Sequence, residues 1–112
     1  MAIFSTHLLN SLNGSHASNV EIIIYKIYGM DRTIFLKAFT DEGGRMHKEL
    51  NLSKDDCDSN FEMIIKTGNC FDNNDNNIIS EISIKFKMKD PQKKYHMPII
   101  FSPNGYSVWW SN

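Results

Sequence analysis

The chain has 112 residues, 41% of them apolar, with a formal net charge of −1. That length suits a single domain spanning 1–112 around one core, and the apolar share argues against disorder. The near-zero charge excludes a whole-molecule pull towards nucleic acid or anionic membrane, and no apolar run approaches the ~20 residues of a membrane span.

In chain order, strand signals dominate. Residues 3–9 form an apolar run that ends before the turn pair Asn13-Gly14. Residues 20–28 are rich in β-branched and aromatic side chains, a strong strand pattern. A break at Gly29-Met30-Asp31 separates them from a strand over 33–40, and Asp41-Glu42-Gly43-Gly44 is a turn. A short strand is expected over 45–50, and the polar stretch 53–60 reads as a loop. Phe61, Met63 and Ile65 alternate with Glu62, Ile64 and Lys66. Ile82, Ile84, Phe86 and Met88 alternate with Ser83, Lys85, Lys87 and Lys89, the pattern of a half-buried strand. Two further strands are expected over 95–101 and 106–109, separated by Ser102-Pro103-Asn104-Gly105, which puts Trp109 and Trp110 on opposite faces of the last one. A short helix is expected around 70–79. Seven or eight short strands joined by turns predict an all-β sandwich.

The N-terminus has neither a basic segment nor a small-residue cleavage site, so the expected location is the cytoplasm, with Cys57 and Cys70 as reduced thiols. No G-x-S-x-G, H-E-x-x-H or P-loop is present. The run beginning at Asp72 opens like a calcium loop but lacks the Gly at its sixth position, and Ser83 stands where the bidentate Glu belongs. Lys85, Lys87 and Lys89 alternate along a strand, as its wet face does, without the interleaved aromatics of a nucleic-acid platform. Four histidines remain. His7 and His96 sit within apolar strands and, on residues alone, read as packed core or interface histidines; His16 and His47 lie near turns and are expected to be exposed. Arg45, after a Gly-Gly turn, reads as a surface arginine. Two imidazoles and a guanidinium can nonetheless make a hydrolytic site, since neutral imidazole is a suitable base near neutrality and guanidinium binds carbonyl or carboxylate oxygens at two points.

The segments carrying these residues resemble the transthyretin and 5-hydroxyisourate hydrolase family. Ser5-Thr6-His7-Leu8-Leu9-Asn10 is similar to its opening strand motif, and Asp41-Glu42-Gly43-Gly44-Arg45 to its Asp-Gly-Arg turn. Lys66-Thr67-Gly68 is similar to part of its Phe-x-Thr-Gly stretch. Tyr95-His96-Met97-Pro98-Ile99-Ile100-Phe101-Ser102-Pro103-Asn104-Gly105-Tyr106-Ser107 is similar to its C-terminal signature, the most specific of these. The hydrolases of that family keep the first-strand histidine, the turn arginine and the histidine before the Pro; the hormone carriers lack them. This chain has all three, as His7, Arg45 and His96.

The resemblance implies a transthyretin-like β-sandwich that opens the ring of a purine-derived substrate, 5-hydroxyisourate, with no cofactor and no metal. It implies catalytic roles for His7, Arg45 and His96, and substrate contacts from Arg45, Ser107, Trp109 and Asn112. Either histidine is open to the role of base. A homotetramer, a dimer of dimers with active sites in a shared channel, is implied as well. The chain departs from the family ending, Tyr-Arg-Gly-Ser, with Trp109-Trp110-Ser111-Asn112. Three alternatives accompany this reading: a non-catalytic binding protein of the same fold, zinc held by paired histidines, and a purely structural sandwich.

Overall fold

Two stacked sheets make up the molecule, seen in a computed structural model that describes residues 1–71 and 77–111. In chain order the strands are β1 (Ala2–Asn10), β2 (Ser15–His16), β3 (Glu21–Tyr28), β4 (Asp31–Phe39) and β5 (Arg45–Leu50), then β6 (Asn60–Ile65), β7 (Ile82–Phe86), β8 (Lys94–Ser102) and β9 (Gly105–Val108). One sheet runs β2-β1-β8-β9, with β5 also paired to β1; the other runs β4-β3-β6-β7. All pairings are antiparallel except β1 with β8. The parallel pair requires a long crossover, and most of the chain lies between its two members.

The strict alternation of β1 explains its place at the centre of its sheet. Phe4, Thr6 and Leu8 point inwards and are sealed, whereas Ile3, Ser5, His7 and Leu9 are only half-buried on the outer face. The opposite sheet supplies Ile22, Ile24, Phe61, Met63, Ile65 and Ile82 to the same core. Phe4 and Phe61 both pack on Phe86, with ring centroids 5.5 and 5.8 Å apart, and Phe35 meets Phe61 edge-on at 4.9 Å. These offset and edge contacts are the preferred aromatic geometries. The one hydroxyl on the inner face of β1, Thr6, donates to the Met97 carbonyl at 2.6 Å, so its burial leaves no unmet hydrogen bond.

Four expectations from the sequence are corrected. The stretch 53–60 is not all loop: Lys54–Asp58 is a short helix, α1. Ser53 accepts from the Asp56 N–H while the Asp56 carboxylate accepts from the Ser53 N–H, a reciprocal cap that satisfies two otherwise orphaned donors. The buried Lys26 ammonium anchors this helix through Asp55 and Asp56. Secondly, a 3-10 turn at Thr67–Cys70 and non-helical residues 77–81 leave no helix in the described part of the stretch 70–79 where a short one was expected; its remaining residues, 72–76, which include most of the calcium-like run, lie outside the described residues. Thirdly, the last strand ends at Val108, so Trp109 and Trp110 follow it and are not part of it. Finally, with the two-residue β2 the described residues form nine strands, where seven or eight were expected.

Candidate active site

The outer face of the β1 sheet gathers every imidazole of the chain. Its two long neighbours set their own outward residues level with those of β1. His7 is opposite Arg45 on β5; Ser5 is opposite His47 on β5 and His96 on β8. β2 places His16 opposite Leu9, on the same face. His7 and His96 are half-buried, and Arg45, His16 and His47 are exposed. The two strand histidines are therefore not packed in the core, one of the two places their apolar neighbours suggested. They occupy the outward positions of strands whose inward positions are apolar.

Arg45 owes its position to the preceding turn. The Asp41 carboxylate accepts from the Gly43 and Arg45 N–H groups, both at 2.9 Å, and the Asp41 N–H donates to the Arg45 carbonyl. Gly44 takes φ +73°, and its carbonyl accepts from the Leu8 N–H at 2.8 Å. A Cβ at Gly44 would lie 2.6 Å from the Leu8 carbonyl oxygen, a clash with backbone in addition to the strained dihedral. The turn can thus press against β1 only with glycine there, and that contact starts β5 with Arg45 beside His7.

The electrostatics favour neutral imidazole at His7. Partial burial and then the neighbouring Arg45 guanidinium hold its pKa below the ordinary 6.5; His16 and His96 act in the same direction, and a hydrogen bond to the Gly43 backbone opposes them. His7 Nε2 lies 2.9 Å from His16 Nδ1. His96 is steadied differently: its Nδ1 is 2.7 Å from Ser5 Oγ, which leaves Nε2 free to meet a ligand. The backbone of His96 is also pinned, exchanging hydrogen bonds with Ser111 at 3.1 and 2.8 Å.

The remaining residues expected to touch substrate scatter around this face. Ser107 is opposite Ile100 in β9, one strand beyond His96, and is exposed. Trp109 donates its backbone N–H to the Pro98 carbonyl at 3.4 Å, and about half of its surface is open. Asn112 lies outside the described residues. Trp110 leans instead on Tyr95 and Lys93, with the Lys93 ammonium 5.3 Å from its ring centroid. Tyr95 is an inward residue of β8, so Trp110 has left the histidine face.

A family model described as HIUase/Transthyretin family matches residues 4–110. The chain belongs to that family. A 5-hydroxyisourate hydrolase of Halalkalibacterium halodurans is 27% identical over 111 residues, covering 94% of this chain and 93% of that protein. The fold superimposes on that of Klebsiella pneumoniae 5-hydroxyisourate hydrolase with a TM-score of 0.80 over the full length of both chains, at 20% identity. It also matches (S)-allantoin synthase, TM-score 0.81 at 18% identity, where 99% of this chain corresponds to 44% of that one.

Two residues that contact this face escaped the sequence reading. His16 was placed near a turn, and only the pairing of β2 with β1 swings it onto His7. Ser111 carried no signal of its own, yet it bonds both backbone groups of His96. The sole hint for His16 was its place two residues after Asn13-Gly14, where a hairpin returning along β1 brings side chains level with His7 and Leu9. Among the described residues no three His, Cys, Asp or Glu side chains converge to hold a metal ion. Zinc chemistry therefore has no ligand set within the described part of one chain.

Proposed function

We propose that this member of the HIUase/transthyretin family is a hydrolase that opens the ring of 5-hydroxyisourate, giving a 4-carboxy-5-ureidoimidazoline. The observation that carries the reading is the opposition of His7 and Arg45 across β1 and β5, with His96 on the far side of β1. These are the three residues that mark the hydrolases of the resemblance, and the curated relatives named 5-hydroxyisourate hydrolase point the same way.

The chemistry has two demands: a nucleophilic water and a place for negative charge. His7, held neutral by burial and by Arg45, is the proton acceptor. Arg45 binds the substrate carbonyl oxygen and stabilises the oxyanion of the tetrahedral intermediate, in the position where preorganised charge has most effect. His96, steadied by Ser5, presents Nε2 to the water or to the departing ring nitrogen. Ser107, Trp109 and Asn112 complete the substrate contacts.

Freshly generated 5-hydroxyisourate provides the test. Its absorbance should decay in proportion to added protein, well above the spontaneous rate; a decay indistinguishable from the uncatalysed one ends this reading. The pH profile then examines the base. Activity needs neutral His7, so kcat/KM should be flat near neutrality and fall as acid protonates the ring. Because the His7 pKa is depressed, the midpoint of that fall belongs below 6.5. An acid limb centred above 6.5 assigns the base elsewhere.

The site face is open in a single chain, and we place it in a homotetramer, a dimer of dimers, in which a second copy closes it into a channel. Exposed apolar residues on and after edge strand β9, namely Tyr106, Val108 and Trp109, suit such contacts. Sedimentation at micromolar concentration should show a tetramer; a monomer at all concentrations would remove the channel. The two cysteines are both free, which suits a reducing compartment, the cytoplasm.

A further inference from the structure

We propose that His16 is a further catalytic residue, the half of a two-imidazole base that meets the attacking water. The inference rests on the hydrolase reading above. His7 Nε2 and His16 Nδ1 are 2.9 Å apart. Their ring centroids are 5.0 Å apart and the planes differ by 19°. So long a separation with so short a nitrogen contact means that the rings meet edge to edge, along a hydrogen bond, and do not stack face on face.

The direction of that bond follows from the other side of His7. The Gly43 backbone acts on His7 in the sense that favours its protonated ring, the sense of a carbonyl facing a ring N–H. With Nε2 turned to His16, the nitrogen left for Gly43 is Nδ1. Neutral His7 then carries its proton on Nδ1 and a lone pair on Nε2, and His16 Nδ1–H donates to that lone pair. The basic nitrogen of His7 is therefore covered by His16. A proton bound for His7 arrives through it.

His16 is held for this position. Asn13 Oδ1 accepts from the Ser15 N–H and the Ser15 hydroxyl, and Gly14 takes φ +75°. The Ala17 N–H then ties the return strand to the Leu8 carbonyl at 2.9 Å. His16 itself is exposed, so water reaches its second ring nitrogen. The groups facing the pair are Arg45 and His47 from β5 and His96 from β8.

The step balances. A water O–H bond breaks as its oxygen bonds to the ring carbonyl carbon. The released proton goes to His16 Nε2, the His16 Nδ1 proton passes to His7 Nε2, and the positive charge rests on His7. The reverse transfer delivers a proton to the leaving ring nitrogen when the C–N bond breaks, and both imidazoles return to neutral.

His16→Ala in the full chain tests this on 5-hydroxyisourate. The expected result is a loss of at least ~10-fold in kcat/KM, restored in proportion to imidazole added to the buffer. Adding His16→Ala to His7→Ala should cause little further loss, because the two act as a unit. Unchanged kcat/KM in His16→Ala, or a loss that imidazole does not restore, overturns the proposal. A second readout needs no substrate: ring 15N shifts of neutral His7 should show Nδ1 protonated and Nε2 bare, and the opposite tautomer also overturns it. A parent protein without turnover would sink the hydrolase reading instead, and the tautomer would then decide the direction of the bond by itself.

Discussion

Replacing His7, Arg45 or His96 by alanine should each lower kcat/KM for 5-hydroxyisourate by at least ~100-fold, the usual range for removing a general base or an oxyanion stabiliser. All three side chains lie on the outer face of their sheet, half-buried or exposed, so none leaves a cavity in the core. Thermal unfolding of the three variants should therefore stay close to that of the parent. Arg45→Ala carries a second signature. Its guanidinium is the largest charge effect depressing His7, so whatever rate survives should show an acid limb moved to higher pH. His96→Ala should leave that limb almost in place, since His96 contributes least to the depression. Three variants that turn over substrate like the parent would mean that the site lies elsewhere.

Phe61→Ala should destabilise the protein by about 3–5 kcal/mol in chemical unfolding, a large part of the ~5–15 kcal/mol typical of a whole domain. Phe61 is fully buried in β6, meets Phe35 edge-on and packs on Phe86, so truncation loses transfer energy and leaves a void that three strands cannot collapse around. Parent and variant need equal protein concentration, because assembly contributes to apparent stability. Phe61→Leu, which fills most of the space, should cost much less. A change below ~1 kcal/mol in Phe61→Ala would show that the aromatic cluster is not the tight centre of the sandwich.

Much of the architecture was legible without coordinates. Alternating apolar residues in 82–88 dictate which face of that strand is buried, because side chains on a strand switch sides at every residue, whereas the run 3–9 marks a strand without marking its faces. Asn13-Gly14 and Asp41-Glu42-Gly43-Gly44 mark chain reversals for the same local reason: few residues adopt the dihedrals needed there. Even helix α1 was written locally, since Ser53 and Asp56 stand at the spacing of a reciprocal cap, though a polar stretch of that length reads more readily as loop. The motifs around His7, Arg45 and His96 likewise picked out three residues that the structure brings to one face.

What the sequence could not supply is register. Ser5 and His96 stand 91 positions apart, and their contact exists because β1 and β8 run parallel with Ser5 level with His96. Sliding β8 by one residue would turn His96 into the core and Tyr95 out to solvent. The bond between His7 and His16 depends in turn on a two-residue strand too short to leave a periodic trace. Nor could composition decide that Trp110 would leave the histidine face for Lys93 and Tyr95 while Ser111 pinned His96. Local patterns determine which side of a strand a residue takes. The packing of two sheets, which selects one register among several locally equivalent ones, decides which residues meet there.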